Sequence, residues 1–276
     1  MKLALCNEVL APLSFERQCE VARLMGYEGL ELAPFTVSEA PETMTSAQAR
    51  SLRSTAAQHG MTITGLHWLL VKPEGLSITS PDHTVWQRTV DVMRHLCQVC
   101  ADVGGSYLVH GSPGQRQLWP GQTATDALQR ATQAWALAAE AAGECGVTYC
   151  IEPLSSDQTP LINTLEQAAA VVREVGHPAL KTMLDTSSAG RAEQDDLPTL
   201  IARWLPTGLL AHVQLNDPNR RAPGQGAMRF APIVQALHTH GYSGVLAMEP
   251  FEYVPDGPGC AAWSAGYVRG LLEALT

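Results

Sequence analysis

The sequence predicts a (β/α)8 barrel, and three observations support that prediction. Eight short apolar runs recur along the 276 residues, each followed by a longer segment with helical periodicity. Their starts lie 26 to 45 residues apart, which is the spacing of successive βα units rather than of hairpins. The first run is followed by CNEVLAP and not by the glycine-rich turn that is usual in an open, doubly wound sheet. Because no linker, low-complexity tract or shift of composition interrupts the pattern, we predict one barrel domain over residues 1–276.

The predicted strands are apolar runs of five to seven residues. Parallel strands of a barrel are buried on both faces, so near-continuous apolar runs of this kind are expected. In chain order they are KLALC (2–6), EGLELA (28–33), MTITGLH (61–67), SYLVH (106–110), VTYCIE (147–152), LKTMLD (180–185), LLAHVQL (209–215) and GVLAME (244–249).

Six segments between these strands have the amphipathic periodicity of helices, and several end in glycine, as helices commonly do. They span residues 14–27, 45–60, 84–104, 124–146, 164–176 and 230–241. The third helix is expected to open after Ser80 and Pro81, an N-cap residue followed by a proline in the first turn. Long loops follow the third, fourth, fifth and seventh strands, which is where a barrel of this kind builds its site.

Composition and charge argue against several classes of protein. The chain has 27 acidic and 18 basic residues, a net charge of −9 and no extended lysine or arginine cluster. We therefore expect neither a nucleic-acid partner nor an anionic membrane surface. Asn7 and Glu8 interrupt the first apolar run before it can serve as a signal sequence, and no other stretch has the length of a membrane span.

The seven cysteines are an odd number without the spacing of a disulfide framework, so we expect reduced thiols and a cytoplasmic protein. Cys97 and Cys100 lie three residues apart on the apolar face of the third helix, beside Met93 and Leu96. We favour core packing for this pair over a metal or redox site.

Polar side chains stand at or near the carboxyl ends of seven of the eight predicted strands, where a barrel of this type places its active site. Buried strands select apolar residues, so this coincidence is unlikely to arise at random. The polar residues are Glu31, His67, His110, Glu152, Asp185, His212 with Gln214, and Glu249. Glu31, like Asn7 after the first strand, is expected to be polar lining without an assigned role.

The fifth and eighth predicted strands end in the same way. The sequences YCIEP and LAMEP each place a glutamate, followed by a proline, at the mouth of the barrel. With Asp185 and Gln214, Glu152 and Glu249 make three carboxylates and one amide, an all-oxygen set. Such a set suits Mn²⁺ or Mg²⁺, with Co²⁺ or Zn²⁺ as alternatives. The competing interpretation is that the acids form ordinary ion pairs with basic residues, of which the nearest in the loops are Arg116, Arg220 and Lys72.

A divalent cation held by neighbouring carboxylates can polarise the carbonyl and hydroxyl of an α-hydroxy ketone. Glu152 and Glu249 could then act as base and acid at the carbon beside the carbonyl, through an enediolate. The residues alone therefore favour proton abstraction next to a carbonyl as the reaction.

The order and placement of several short motifs resemble the sugar phosphate isomerase/epimerase superfamily of xylose isomerase-like barrels. They are GYEGLELAP, GLHWL, HGSPGQR, IEPL, LDT, HVQLND followed by RRAPGQG, and MEPF. The resemblance covers nearly the whole chain. The superfamily includes ketose 3-epimerases, hydroxypyruvate isomerases, inosose and dehydroshikimate dehydratases, and endonuclease IV.

The resemblance implies metal ligands at Glu152, Asp185, Gln214 and Glu249, with the two glutamates also moving the proton. Gln214 stands where many members have histidine and where the hydroxypyruvate isomerases have glutamine. The resemblance further implies a homo-oligomer and a small carbohydrate or keto-acid substrate.

Arg220 falls where ketose epimerases place a substrate-binding arginine. Ser188 and Gln158 stand where these enzymes have a histidine and a glutamate that are close to the sugar. We therefore include Ser188 and Arg220 among the predicted substrate-binding residues, although the two departures leave the substrate open.

Five further residues are candidates for substrate contact, each with a structural alternative. His67 and His110 contact substrate or are hydrogen-bonded residues of the barrel mouth. His212 shares a strand face with Gln214 and acts on substrate or behind the ligands. Arg116 recognises an anion or pairs with a carboxylate of the protein. Trp68 is an apolar wall for a sugar face or a packed loop residue.

We therefore expect a metal-dependent isomerase or epimerase of a small ketose, keto-polyol or hydroxy-keto acid. The nearest alternative is a lyase that dehydrates a keto-polyol or a dehydroshikimate-type ketone through the same enolate. A DNA-repair endonuclease, which uses more histidine ligands, and a non-catalytic sugar-binding protein are the remaining alternatives.

Overall fold

Eight parallel strands close into a barrel in the computed structural model, which describes residues 1–275. Each strand pairs with the next along the chain, and the eighth pairs with the first, so the sheet has no free edge. The strands are β1 (Lys2–Cys6), β2 (Gly29–Leu32), β3 (Thr62–Leu66), β4 (Tyr107–His110), β5 (Thr148–Ile151), β6 (Leu180–Asp185), β7 (Leu210–Leu215) and β8 (Val245–Met248). The predicted barrel is thereby confirmed; the predicted end of the domain, residue 276, lies outside the described residues.

Helices surround the barrel and connect its strands. They are α1 (Phe15–Leu24), α2 (Pro34–Val37), α3 (Ser46–Gln58), α4 (His83–Val103), α5 (Ala124–Cys145), α6 (Leu165–Val175), α7 (Thr186–Ala192), α8 (Leu197–Trp204), α9 (Phe230–Thr239) and α10 (Gly257–Glu273). Short 3-10 helices cover Asn7–Leu10, Pro41–Thr43, Pro113–Arg116 and Leu205–Thr207. Within residues 1–275, no helix combines the length and the apolar character that crossing a bilayer requires.

The six predicted helices are present, but the predicted start of the third is wrong. Helix α4 begins at His83, and its N-cap is Asp82, whose side chain accepts hydrogen bonds from the backbone N–H groups of Thr84 and Val85. Ser80 lies in the preceding loop, where its hydroxyl accepts a hydrogen bond from the Asp82 N–H. The nearer aspartate supplies the cap because only a side chain directly before the first turn can reach those donors.

Cys97 and Cys100 pack in the core between α4 and the barrel, as predicted. Both side chains are buried, and both are free thiols. The Cys97 thiol donates to the carbonyl of Met93 at 3.3 Å, and the Cys100 thiol donates to the carbonyl of Tyr107 at 3.2 Å. Burial raises the pKa of the Cys100 thiol well above its usual value, which keeps it protonated and unreactive.

The barrel ladder shifts register at two places. Leu30 of β2 pairs with Ile63 but the next residue, Glu31, pairs with Gly65. Between β6 and β7, Thr182 pairs with Leu210, whereas Met183 pairs with His212. An extra residue on one strand changes the direction in which the following side chains point, and such irregularities are common beside active sites.

Candidate active site

A cavity of about 220 Å³ opens at the carboxyl end of the barrel. Its walls come from residues that follow β3 through β8, which is the position expected for the site of such a barrel. The lining residues are Trp68, Gly111, Pro113, Glu152, Leu154, Gln158, Asp185, Ser187, Ser188, Arg191, Arg220 and Phe251. Two carboxylates, two hydroxyls, one amide, two guanidinium groups and two aromatic rings therefore face one small volume.

The predicted carboxylates Glu152, Asp185 and Glu249 converge here. One oxygen from each lies within 4.8 Å of the others, and all three side chains are buried. Glu152 and Glu249 directly follow β5 and β8, while Asp185 is the last residue of β6. Asp185 is also the N-cap of α7, and its Oδ1 accepts a hydrogen bond from the Ser188 N–H at 2.6 Å.

Three buried oxygen atoms around this point have no hydrogen-bond partner: Asp185 Oδ2, Gln214 Oε1 and Glu249 Oε2. A single buried acceptor without a partner destabilises a protein by about 1–3 kcal/mol, so three together call for a ligand. Gln214 lies directly beside Asp185 in the register of β6 and β7, and the two side chains therefore share a face. Carboxylate and amide oxygens are the ligands that hard divalent cations prefer, so these residues fit such an ion.

Burial raises the pKa of all three carboxyls, and repulsion from neighbouring carboxylates adds to this for Glu152 and Glu249. Burial raises the pKa of Asp185 to about 6 and the pKa of Glu249 to about 8, and the neighbouring Asp185 charge adds to the effect on Glu249. Burial, followed by the charges of Glu249 and Asp185, raises the pKa of Glu152 well above its usual range. A divalent cation would reverse this effect, because it stabilises the ionised form of all three.

The three basic residues that could have formed ordinary ion pairs with these carboxylates have other partners. Lys72 forms an exposed ion pair with Glu39 at 2.9 Å. The Arg220 guanidinium lies 4.7 Å from the ring centre of Phe251. Arg116 is buried and donates from Nη2 to the backbone carbonyl of Glu152 at 2.7 Å, rather than to its carboxylate. The three carboxylates are thus not accounted for by ion pairs with these cations.

His67 supports Glu249 through a hydrogen bond. Its Nδ1 lies 2.9 Å from Glu249 Oε1, and its Nε2 lies 3.1 Å from Glu8 Oε2. Burial alone would lower the pKa of His67, but the neighbouring Cys6 and Glu8 raise it well above its usual value. Cys6, Glu8, His67 and Glu249 place possible ligand atoms within 4.8 Å of one another. Since carboxylates already occupy both ring nitrogens, we regard His67 as a support for Glu249.

The remaining predicted substrate contacts divide into two groups. Ser188 and Arg220 line the cavity. His110 and His212 do not, and the reasons differ: strand alternation turns His110 away from the cavity, whereas His212 lies deeper in the barrel. His110 faces the helices, where its Nδ1 lies 2.9 Å from the hydroxyl of Tyr149 and accepts from Trp135 Nε1 at 3.1 Å.

His212 lies one layer deeper than Gln214 in the barrel, with its Nε2 2.9 Å from Glu31 Oε2. Its ring stacks on Tyr107 at a centroid distance of 4.0 Å. Arg116 is also absent from the cavity lining, because its guanidinium is covered by the loop after β5 that it bonds.

Two charged groups of the site, Glu8 and Arg191, were not among the predicted site residues. Arg191 lines the cavity and forms an ion pair with Asp157 at 2.5 Å. Arg191 stands four residues after Ser187, so the two side chains share a face of α7. This spacing after the end of β6 is the sequence signal that could have identified Arg191 as a site residue. Trp68 stacks between Phe35 and Phe251, with ring centroids 5.9 and 5.8 Å away, and forms an aromatic wall of the cavity.

Gly111 leaves room for the Glu152 carboxylate. A Cβ atom at this position would overlap Glu152 Oε2, whereas a Cβ at Gly114 in the same loop would meet nothing within 4 Å. We expect Gly111→Ala to displace the carboxylate and lower kcat/KM at least about a hundredfold, as misplacement of a reacting group by 1 Å does. Gly114→Ala is the matched control and should keep wild-type kinetics. Equal activity of the two variants, measured at equal melting temperatures, would contradict this role of Gly111.

Known proteins similar to this chain share its barrel. A family model described as a xylose isomerase-like TIM barrel matches residues 19–271. D-psicose 3-epimerase from Ruminiclostridium cellulolyticum is 28% identical over 241 residues, covering 84% of this chain and 76% of that protein. The 2-oxo-tetronate isomerase of Cupriavidus necator is 29% identical over 119 residues, covering 41% of this chain and 44% of that protein. A crystal structure of D-psicose 3-epimerase in the presence of D-fructose has a TM-score of 0.84 at 21% identity and covers 99% of both chains.

Proposed function

Because the chain belongs to the xylose isomerase-like TIM barrel family, with sugar epimerases and isomerases among its relatives, we propose that it is a divalent-metal-dependent isomerase or epimerase. Its substrate in this proposal is a small ketose, keto-polyol or hydroxy-keto acid. The observation that carries the proposal is the cluster of Glu152, Asp185 and Glu249, together with buried oxygens of Asp185, Gln214 and Glu249 that have no hydrogen-bond partner. Mn²⁺ or Mg²⁺ is the cation that an all-oxygen set favours.

Glu152, Asp185, Gln214 and Glu249 would hold the cation, which supplies polarisation of the substrate carbonyl when it is bound. The protein's own groups move the proton. One of the two glutamates takes the proton from the carbon beside the carbonyl; the C–H electron pair forms a carbon–carbon double bond, and the carbonyl π pair moves to the oxygen to give an enediolate. The other glutamate returns a proton, to the opposite face of the same carbon in an epimerase or to the neighbouring carbon in an isomerase, where the proton of the substrate hydroxyl also passes to the former carbonyl oxygen.

The cavity walls orient the substrate and keep it from bulk water. Trp68 and Phe251 offer ring faces to the C–H groups of a sugar, while Ser187, Ser188 and Gln158 offer hydrogen bonds to its hydroxyls. These groups act in the ground state and the transition state alike, so their removal is expected to raise KM more than it lowers kcat.

Among the proposed substrate classes, the two cavity arginines favour a keto acid. Arg191 and Arg220 both line the cavity, and planar guanidinium groups bind carboxylates in a bidentate manner. The similarity to a 2-oxo-tetronate isomerase agrees with this candidate. The Arg191 pair with Asp157 would have to open or be shared for Arg191 to bind the substrate.

Proton NMR in D₂O tests the proposal. The protein is incubated with Mn²⁺ or Mg²⁺ and with D-psicose, D-fructose, hydroxypyruvate, a 2-oxo-tetronate, a keto-inositol or dehydroshikimate, with EDTA controls; Mn²⁺ samples are freed of metal before spectra are recorded. We expect metal-dependent exchange at the carbon beside the carbonyl of a ketose or keto acid. A dehydrated product would indicate the lyase alternative. Binding of these compounds without exchange, in a protein that holds its metal, would contradict an enolising enzyme and favour a sugar-binding protein.

We also propose where the protein is located and what it binds. The seven cysteines are all free thiols, in agreement with a reducing, cytoplasmic location. The expected partners are small molecules and further copies of the chain, with no nucleic acid or membrane among them.

A further inference from the structure

We propose that Glu31 is a positioning residue that turns the amide of Gln214 so that its oxygen, and not its nitrogen, faces the three carboxylates. This inference rests on the proposed function, because it gives Gln214 its role as a metal ligand. It assigns a role to Glu31, which contributes nothing to the cavity lining itself.

Glu31 and Gln214 meet inside the barrel, although they come from strands that are not neighbours. Gln214 Nε2 donates to Glu31 Oε1 at 2.7 Å, and both side chains are fully buried. The second Glu31 oxygen accepts from the hydroxyl of Tyr107 at 2.6 Å and lies 2.9 Å from His212 Nε2. Glu31 is thus the centre of a buried polar layer directly beneath the candidate metal centre.

The partners of Glu31 leave the amide only one orientation. The Tyr107 hydroxyl donates to Glu31 Oε2, and His212 Nε2 lies 2.9 Å from the same oxygen, so Glu31 Oε1 is the acceptor that faces Gln214. Only the NH2 end of Gln214 can bond to it, and the Oε1 end must point the other way. Gln214 Oε1 is buried and has no partner, and the side chain lies beside Asp185 in the ladder.

The opposite orientation would weaken the site in two ways. An NH2 group facing Asp185 and Glu249 would donate hydrogen bonds to the carboxylate oxygens that the cation needs, and it has no lone pair to offer the cation itself. A histidine at this strand position would offer a ring nitrogen as a metal ligand. A glutamine has one end that can bind a metal and one that cannot, so a second residue must fix which end faces the metal.

Glu31→Gln tests the inference, with Mn²⁺ itself as the probe and the EPR signal of free Mn²⁺ as the readout. The introduced amide has one oxygen, and we expect that oxygen to face Tyr107 and His212, where the donors are, and its NH2 group to face Gln214. Gln214 must then flip to accept that hydrogen bond, which turns its own NH2 toward the carboxylates. We expect the Mn²⁺ dissociation constant to rise at least about tenfold, as for other residues that support metal ligands.

Two further variants distinguish a changed orientation of the Gln214 amide from a general disruption of the hydrogen bonds around Glu31. The double variant Glu31→Gln/Gln214→Glu exchanges donor and acceptor, keeps the total charge and again presents an oxygen to the metal, so Mn²⁺ affinity should recover to within about threefold. Tyr107→Phe removes another hydrogen bond to Glu31 and leaves the Gln214 bond in place, so it should bind Mn²⁺ like the wild type. All variants are compared by melting temperature.

Three results would overturn the inference. They are wild-type Mn²⁺ affinity in Glu31→Gln, equal losses in Glu31→Gln and Tyr107→Phe, and no recovery in the folded double variant. These binding results are independent of turnover, so a protein that binds Mn²⁺ as expected but catalyses no exchange would contradict the proposed function alone. A wild-type protein that binds no Mn²⁺ would contradict both.

Discussion

Replacing Glu249 with glutamine is expected to lower kcat at least about a thousandfold while the barrel stays folded. General acid–base groups contribute about 10²- to 10⁴-fold to rate, and Glu249 also presents an unpartnered oxygen to the candidate metal centre. Glutamine has the same shape, and its oxygen can still accept the hydrogen bond from His67 Nδ1. The measurement is steady-state kinetics on the substrate found by the NMR screen, together with elemental analysis of bound metal.

The matched control for this change is Glu252→Gln in the same loop. Glu252 is exposed, and its side chain forms a surface ion pair with Arg221 at 3.5 Å, so loss of this charge should leave kcat unchanged. A Glu249→Gln protein with kcat within tenfold of the wild type would remove Glu249 from the acid/base pair. Loss of activity together with a melting temperature far below that of the control would point to a structural role instead.

The main features of the site could be predicted because parallel strands of a barrel end at one face. Glu152, Asp185 and Glu249 are each the last residue of a strand or the residue after it, so closure of the barrel was enough to bring them together. His110 also ends a strand, yet it faces α5, because a shift of one residue along a strand turns a side chain to the other face. Strand ends alone do not reveal which of two successive residues points inward.

The parts that could not be predicted are helices with little apolar periodicity and contacts between distant segments. Arg191 lies on α7, whose sequence TSSAGRA has no apolar periodicity; the helix starts there because Asp185 caps it. Helix α10 begins with GPG, whose two glycines disfavour a helix, and it forms behind the Asp256 cap. Glu31 and Gln214 are 183 residues apart, and only the closed barrel shows that they are hydrogen-bonded.

The second large effect is a dependence of stability on pH that appears only when the metal is removed. The folded-state pKa of Glu249, about 8, and that of Glu152 are raised above the unfolded value near 4.5, so the folded protein binds more protons than the unfolded chain at neutral pH. The contribution of such a group to the free energy of unfolding is fully present below its pKa in the unfolded chain. This contribution is lost as the pH rises through the pKa of the group in the folded protein. His67, with its raised pKa, acts in the same direction.

The expected loss is large enough for calorimetry. Between about pH 6.5 and about pH 8.5, Glu249 alone contributes a loss of about 2 kcal/mol, which lowers the melting temperature of a protein of this size by about 5 °C. The pKa of His110, lowered to about 3 by burial, has the opposite effect on stability, mainly below pH 6.5, because its unfolded value is near 6.5; within this window it offsets only a small part of the loss.

The measurement is calorimetry of EDTA-treated protein at both pH values, with and without added Mn²⁺. Binding of the cation requires the carboxyls to lose their protons, so Mn²⁺ should stabilise the protein more at the higher pH and remove most of the dependence. Glu249→Gln without metal should show a smaller fall than the wild type. Identical melting temperatures for metal-free wild type at the two pH values would show that these carboxyls are not protonated in the folded state.

The two register shifts of the ladder have a consequence for protein design. One lies directly before Glu31, and the other lies on the β6–β7 pair that carries Asp185 and Gln214. An idealised barrel with uniform register would turn some of these side chains toward the helices, even if every residue of the site were copied onto it. A transplant of this site into a new scaffold therefore has to include the extra residues Thr64 and Ala211, which take no part in the chemistry.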